Sequence, residues 1–567
     1  MPGVLDATTR TDALRKLAEG PLDILIIGGG ITGAGAALDA ASRGLRVGLV
    51  ESRDLASGTS SRSSKLIHGG LRYLEQRDFK LVKEALRERD LLVSKLAPHL
   101  VKPLPFLYPL YKKVVERPYV GAGLVLYDAM EGIKRPVPHH RHLTLRGALN
   151  RAPALLEERL AGAMIYYDAQ VDDARHTLTV ARSAAAHGAT IVTRASATGL
   201  LRSADGGRVT GARVRDEESG REFDIPARAV AICTGVWTDP MYEASKVKAG
   251  YHVRMSKGVH LVMPRSAIDA STGMIIRTEK SVLFFIPWGD DRWIVGTTDT
   301  DWSGDRAEPA ATVEDVDYIL AQANRVLDRK LTRADVTGIY AGLRPLVAAA
   351  EDVSTTKLSR EHVVDSPVPG LVSIAGGKFT TYRIMARDVI DAARESLEGS
   401  EVPDSVTDQL PLLGADGLPA TRAAARRTAE DYNVPVETVE HLITRYGTLV
   451  SEVLNPVLKD RSLAEPLADG YPYLRAEVAY AVTHEGALHV EDVLARRVRL
   501  LIESPDAGVS VAAEVGAIMG GLLGWGRRRR AAEVKRYVEF AETSTEALRS
   551  PDDLPSSNAD PEVAVPA

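Results

Sequence analysis

Three glycines and one acid carry the first chemical signal in this chain. Gly28, Gly30 and Gly33 follow an apolar run at 24–27, and Glu51 ends a second apolar run that starts at Val47. Gly28 suits a tight turn, Gly30 lets backbone N–H groups approach a pyrophosphate, and Gly33 lets the next helix lie close to a sheet. Ile31 and Thr32 belong to the same phosphate-facing turn. Glu51, with Ser52 after it, stands roughly twenty residues past the last glycine, where a carboxylate accepts hydrogen bonds from an adenosine ribose and repels a 2′-phosphate. The plain alternative, a glycine-rich strand–helix turn with no ligand, leaves Glu51 unexplained. Strand, glycines, alanine-rich helix, strand and acid in that order predict a dinucleotide site.

The next segment, 52–75, chooses between dinucleotides. Thr59, Ser60, Ser61, Ser63 and Ser64 supply small hydroxyls, Gly69 and Gly70 supply flexible backbone, and Arg62, Lys65, Leu66, His68, Arg72 and Tyr73 stand among them. Such a sleeve suits the ribityl and phosphate portion of an extended, deeply held FAD; NAD exchanges at each turnover and needs none. A serine-rich surface loop is the competing reading. Here the sequence resembles the FAD-dependent glycerol-3-phosphate dehydrogenases. The resemblance rests on GGGITGAGAALDAASRG (28–44), TSSRSSKLIHGGLRYLE (59–75), APHLVKPLPFLYPLY (97–111), KGVHLV (257–262), GTTDTDW (296–302), AGLRPL (341–346) and GGKFTTYR (376–383). It spans most of the chain from about residue 20 to beyond 540, in matching order.

The resemblance implies FAD contacts from Gly28, Gly30, Ile31, Thr32, Gly33, Glu51 and Ser52 and from the sleeve residues Thr59, Ser60, Ser61, Ser64, Lys65, Leu66, His68, Gly69 and Gly70. It extends them to Thr234 and Gly235 of the CTG turn and to Gly376, Gly377, Lys378 and Thr380. It also implies substrate contacts from Arg72, Tyr73, His260, Arg344 and Lys378, with His260, Arg344 and Lys378 catalytic. Oxidising a secondary alcohol with FAD needs a base for the hydroxyl proton and a hydride path from carbon to flavin N5, while the protein positions both partners. His260 is the expected base, because an ordinary histidine titrates near ~6.5. Arginine keeps its proton, so Arg344 and Arg72 are expected to bind phosphate or polarise the substrate oxygen. Lys378 would stabilise the alkoxide or the reduced flavin, and Tyr73 would hydrogen-bond the phosphate. The competing readings are a structural histidine at a strand end, a surface ion pair for Arg344 and a solvated loop for Lys378.

The elements that must position these residues read as an α/β protein with a discontinuous, Rossmann-like FAD-binding domain. That domain is expected at 21–97, 146–245 and 366–395, after a loose leader at 1–20. A flavin-capping, substrate-binding domain is expected at 98–145 and 246–365, where apolar and polar positions alternate as in antiparallel strands. A C-terminal helical domain is expected at 400–545, and a disordered Pro-, Asp- and Ser-rich tail at 546–567. The 567 residues suit two to four domains.

Net charge is −5, which argues against nucleic acid as a partner. No apolar run approaches the ~18 residues of a membrane span, and no signal core opens the chain. The single cysteine, Cys233, excludes an intramolecular disulfide and a Cys-rich metal or Fe–S site; no metal is expected. The resemblance implies sn-glycerol 3-phosphate as substrate and a quinone as acceptor, since no long insertion of the oxidase kind interrupts the chain. A quinone acceptor implies a cytoplasmic enzyme docked peripherally at the inner face of the cell membrane. Lys102, Phe106, Tyr108, Lys112, Lys113, Arg117 and the run from Trp525 to Arg530 are the docking candidates, while 119–130 reads as a packed helix. A homodimer is compatible with all of this. The alternatives are an oxidase that reduces oxygen to hydrogen peroxide, a non-catalytic flavin-binding protein and, more remotely, an FAD-dependent amine oxidase.

Overall fold

A computed structural model describes residues 3–75, 77–112, 115–130, 136–278, 281–348, 361–397 and 401–548. Strand Leu22–Ile27 is buried along almost its whole length, as its unbroken apolar run requires. It pairs in parallel with Val47–Glu51 on one side and with the C-terminal half of Glu222–Ile232 on the other. Leu371–Gly376 and Thr190–Thr193 extend this parallel sheet at its two ends, and His362–Val368 adds an antiparallel edge. Helices Ile31–Ser42, Asp173–Ala186 and Tyr382–Ala393 cover one face and share one apolar core with it. Alanines at 34, 36, 37, 40 and 41 let the first of these helices lie close.

Residues 1–20 are not a loose leader in their described part. Ala7–Glu19 is a helix that opens on a capping box, in which the Thr9 N–H donates to the Asp6 carboxylate and the Asp6 N–H to the Thr9 hydroxyl, each at 2.7 Å. Ala13 and Leu17 are buried against the parallel sheet and the β-meander beside it. Arg10 donates to the Thr193 and Arg194 carbonyls and pairs with Asp216. Two buried apolar positions in a helix of mostly polar residues gave too weak a periodicity to read.

Among the described residues the second sheet has ten strands, antiparallel except where Gly273–Arg277 runs parallel to Lys102–Leu110. Its long member, His252–Pro264, pairs throughout with Gly338–Ala348. Two expected boundaries move. Strand Gly162–Gln170 pairs with Lys102–Leu110 from Gly162↔Leu110 to Gln170↔Lys102, so the chain re-enters the nucleotide domain at helix Asp173–Ala186 and not at 146. Strand His362–Val368 belongs to the parallel sheet, so that re-entry precedes 366. Leu66–Ile67, inside the expected nucleotide segment, pairs into the second sheet and joins the two units.

Beyond 401 the chain is mainly helical up to Arg527–Thr545. This part has a small core of its own around Val439, Leu442 and Val453. It also shares a large core with the second sheet, in which Tyr537 and Val493 join Phe106 and Tyr166. Buried ion pairs complete the seam: Asp54 with Arg496 and Arg497, and Arg175 with Glu485. It is an integral wall of the molecule. Of the expected tail, 546–548 forms a final helical turn with Ala547 buried, and 549–567 lie outside the described residues. Phe106 is fully buried, which removes it from the docking candidates, and Lys113 is outside the described residues. Among the described residues no helix is long and apolar enough to cross a membrane, and no His, Cys, Asp or Glu cluster could hold a metal.

Candidate active site

Both sheets line a single large cavity of about 640 Å³, within the size range of enzymatic ligand pockets. Its nucleotide end is shaped by missing side chains. Gly28 has φ +112°, and a β-carbon there would lie 2.6 Å from the Cys233 carbonyl oxygen. A β-carbon on Gly33 would lie 1.9 Å from the Gly28 carbonyl oxygen, so only glycine lets helix Ile31–Ser42 start this close to the strand. The Ile31 N–H donates to the Ser60 hydroxyl at 2.9 Å. With Gly30 and Thr32 lining the cavity, the positive end of the helix faces the space a pyrophosphate would take. Glu51 accepts the Gly29 N–H at 2.6 Å and the Arg53 N–H at 2.8 Å. Burial pushes its carboxyl above the ordinary range, against the pull of those two amides. A close-packed glycine turn, a helix N-terminus and an acid on the cavity wall fit the diphosphate and ribose of a dinucleotide.

The sleeve divides into residues that line the cavity and residues that hold it from behind. Ser52, Thr59, Ser60, Ser64, Leu66, His68 and Gly70 line it, and Thr234, Gly235, Gly376, Gly377 and Thr380 close the opposite wall. Thr59 donates to the Leu343 carbonyl at 2.6 Å, and Thr380 accepts the His68 N–H at 3.1 Å. Lys65, Ser61 and Gly69 do not line it. Lys65 is fully buried and pairs with Asp173 at 2.8 Å. Burial and then Arg499 bring its ammonium down to about 8. The Ser61 carbonyl accepts from Lys65, and the Gly69 N–H donates to the Tyr127 hydroxyl at 3.0 Å and to Asp168. These three are supports, because loop polarity alone does not say which way a side chain turns.

The other end of the cavity brings the expected redox residues together. His260 and Arg344 come from adjacent antiparallel strands, in the registers His260↔Tyr340 and Ser256↔Arg344. Between these pairs sits Gly258↔Gly342. A β-carbon on Gly258 would lie 2.4 Å from Arg344 Nη2, so the glycine lets the guanidinium lie across the strand. Arg344 donates to Ser256 Oγ at 3.2 Å, Thr297 Oγ1 at 3.0 Å and the Thr298 carbonyl at 3.2 Å, with Asp299 3.7 Å away. His260 Nε2 shares a 2.8 Å hydrogen bond with the Ser64 hydroxyl, and its ring stacks on Tyr340 at 4.8 Å. Burial, then Arg344, then Lys65 hold the imidazole well below its ordinary 6.5, which corrects the expectation of an unperturbed base. Lys378 Nζ lies 3.6 Å from the centre of the Tyr73 ring, a cation–π contact on the cavity wall. The side chain of Arg72 lies outside the described residues.

Sequence reasoning missed the anchors. Thr297 and Asp299 stood in the quoted GTTDTDW without a role, and Tyr340 sits one residue before the quoted AGLRPL. Asp173 reads in sequence only as an acid in the first turn of a helix. Arg53 and Trp237 also line the cavity, with no role given them from the sequence, and Arg62 of the quoted sleeve joins them.

Comparison with known proteins accords with this geometry. Residues 23–391 match the family of FAD dependent oxidoreductases, and 405–530 match the C-terminal domain of alpha-glycerophosphate oxidase. Glycerol-3-phosphate dehydrogenase 2 of Mycobacterium bovis is 51% identical over 97% of this chain and 93% of its own length. The mitochondrial glycerol-3-phosphate dehydrogenase of Homo sapiens is 36% identical over 91% of this chain and 73% of its own. The crystal structure of glycerol-3-phosphate dehydrogenase from Bacillus halodurans complexed with FAD superposes with a TM-score of 0.79 at 30% identity, covering 96% of this chain and 99% of that one. This chain therefore belongs to the FAD-dependent glycerol-3-phosphate dehydrogenases, and its cofactor is FAD.

Proposed function

We propose that the enzyme oxidises sn-glycerol 3-phosphate to dihydroxyacetone phosphate and passes the electrons to a quinone. The convergence of His260, Arg344 and Lys378 on the cavity that holds the dinucleotide turn carries this reading. FAD, when bound, supplies the acceptor for the C2 hydride at N5. The turn at 28–33, Glu51 and the lining hydroxyls of the sleeve hold it. His260, neutral at pH 7 because its charged form is disfavoured, accepts the C2 hydroxyl proton at Nε2, the nitrogen it shares with Ser64. Arg344, fixed by Ser256, Thr297 and Thr298, binds the phosphate or the substrate oxygen. Lys378 balances the charge that builds on the alkoxide as its proton leaves, and Tyr73 orients that ammonium.

The outer face of helix Glu116–Met130 supports the quinone reading and a peripheral position at the inner face of the cell membrane. Tyr119, Val125 and Leu126 project from it, with relative exposures of 60%, 58% and 39%, and Lys112 lies exposed beside it. Its inner face reaches the cavity wall, because Tyr127 donates to Asp168 at 2.6 Å and accepts the Gly69 N–H. An apolar surface with an exposed lysine at its edge suits an anionic bilayer, a base there adding roughly 1 kcal/mol. The helix is packed as expected, but on one side only. Of the other docking candidates, Tyr108 and Trp525 are half-buried and Arg529 pairs with Glu218 and Glu533, while Lys102, Arg527 and Arg528 are exposed.

Anaerobic titration of the yellow protein with sn-glycerol 3-phosphate tests the reading. Bleaching followed by fast reoxidation with a quinone analogue and slow reoxidation in air is expected. Fast reoxidation in air would make it an oxidase, and an FAD-loaded protein that does not bleach would overturn the substrate. Sedimentation with anionic vesicles, lost in Leu126→Asp with flavin content unchanged, is expected for the docking face.

A further inference from the structure

The loop 60–65 is gripped from beneath by buried charges that the mechanism above does not use. Asp173 accepts the Ser63 N–H at 2.8 Å and the Ser63 hydroxyl at 2.7 Å on one carboxylate oxygen. Its other oxygen accepts Lys65 Nζ at 2.8 Å and Arg499 Nη2 at 3.2 Å. The Ser61 carbonyl accepts from the same two cations, at 3.1 and 2.9 Å. Lys65, Asp173 and Arg499 are all buried to 1% exposure or less. Ser63 and Lys65 are thus tied to one carboxylate, and Ser64 between them is the residue that meets His260. From the far side, Tyr340 donates its hydroxyl to the Ser63 carbonyl at 3.0 Å while its ring lies flat on the imidazole.

Arg499 comes from the C-terminal helical domain, at the start of the short helix Leu500–Glu503, with a left-handed backbone of φ +58°. A residue with a β-carbon takes that conformation at a cost. Its side chain accounts for the arginine: Nη2 donates to the Ser61 carbonyl and Asp173 while Nη1 donates to the Ala495 carbonyl at 3.2 Å, a second arm that an ammonium lacks. We propose that Arg499 is a positioning residue of the redox site: through Asp173 and Ser61 it fixes the loop that sets Ser64 against His260. The inference rests on His260 being the proton acceptor.

Four elements face His260: the loop brings Ser64 and Lys65, strand Gly338–Ala348 brings Tyr340 and Arg344, the turn after Gly296 brings Asp299 against Arg344, and strand Arg292–Gly296 sets the uncharged Gly296 opposite the histidine. Loosening the loop admits water to the ring. Its pKa then rises toward the ordinary value, and the acid limb of kcat/KM moves to higher pH.

The test compares Arg499→Met, Arg499→Lys and His260→Gln in the full-length FAD-loaded enzyme, with rates counted per bound flavin. For Arg499→Met we expect kcat to fall at least ~10-fold with KM changed less than ~3-fold and the acid limb raised by at least ~0.5 pH unit. Arg499→Lys should recover part of both effects, and His260→Gln should abolish the limb. An Arg499→Met enzyme of lower Tm but unchanged kcat per flavin and unchanged limb, beside a His260→Gln enzyme without one, overturns the positioning role and leaves the base. If His260→Gln keeps the limb, the base assignment falls, and an unchanged kcat per flavin in Arg499→Met then overturns the positioning role as well. Should Arg499→Met not fold, Ser63→Ala takes its place, with a ~2–5-fold fall in kcat per flavin expected and no fall overturning the proposal.

Discussion

The nucleotide end and the redox end of this cavity are built in opposite ways. The nucleotide end is led by one short stretch of chain, 22–51, packed on Cys233 and met by Ser60, and works through what is absent, since β-carbons at Gly28 and Gly33 would strike backbone oxygens. The redox end collects Tyr73, His260, Arg344 and Lys378 from four separate segments and works through anchors. Ser64 and Tyr340 fix His260, while Ser256, Thr297 and Thr298 fix Arg344. One end is a shape in the backbone and the other a set of held side chains. Damage to the first should therefore release the cofactor, and damage to the second should slow the chemistry of a cofactor that stays bound.

The sharpest separation is expected from His260→Gln. Loss of a positioned base costs roughly 10²–10⁴ in rate, so kcat should fall by that much while the flavin spectrum and stoichiometry stay those of the parent. A variant that loses FAD would break the comparison, because His260 would then serve the cofactor. Gly33→Ala should do the reverse. The new methyl carbon would need the space of the Gly28 carbonyl oxygen, 1.9 Å away, and both neighbours are backbone. The cost should exceed the usual overpacking range of ~1–3 kcal/mol, seen as a lowered Tm and a low ratio of FAD to protein. Normal FAD content would show that the helix can slide outward.

The same contrast explains what could be read in the sequence. The nucleotide end was legible because its logic is local: glycine spacing, strand and acid all fall within one window. His260, Arg344 and Lys378 were legible as members of quoted motifs, and they do share one cavity. Their environment was not legible. The depressed pKa of His260 arises from burial and from Arg344 and Lys65, which reach it only through tertiary folding. Gly258 and Gly342 stood inside KGVH and AGLRPL, but their purpose shows only once the two strands are paired in register. Lys65 and Ser61 read as ligand contacts because a polar loop beside a nucleotide fold invites it, whereas Asp173 and Arg499, remote in sequence, draw them under the loop. The strand Gly162–Gln170 was placed in the wrong domain because a nearly continuous apolar strand looks alike in either sheet.

A smaller effect should come from Arg344→Ala. Hydrogen bonds to a charged group contribute ~1.5–3 kcal/mol, so KM for sn-glycerol 3-phosphate should rise about 10–100-fold with FAD retained. The shortened side chain would also leave Asp299 without the guanidinium 3.7 Å away, and Thr297 without its donor. Steady-state kinetics with a flavin count decide it. A rise in KM with kcat kept places Arg344 in binding, whereas an equal loss in kcat and kcat/KM places its interaction in the transition state. Loss of FAD would mean that Arg344 belongs to the nucleotide end after all.

The smallest effect tests the nucleotide end without disturbing its shape. Glu51→Gln keeps the side chain's outline but loses the charge, and its one carbonyl oxygen can accept only one of the Gly29 and Arg53 amides, which bind different carboxylate oxygens. Hydrogen bonds to a neutral acceptor are weaker than those to a carboxylate by about 1 kcal/mol, so FAD should bind roughly 5–10-fold more weakly, with kcat at saturating FAD unchanged. The apo-protein should respond less. Burial raises the folded-state pKa of Glu51 above its ordinary 4.5, so the folded chain favours the protonated acid. Stability is therefore lost as the pH rises from 4.5 towards that raised value, and the full cost of the charge stands above it. Removing the charge relieves that cost but leaves one amide without its acceptor, so the Tm of the FAD-free protein at pH 7 should change little, while the holoenzyme's Tm falls. A parallel fall in both would mean that Glu51 holds the turn itself, and the nucleotide end would then rest on an anchored side chain just as the redox end does.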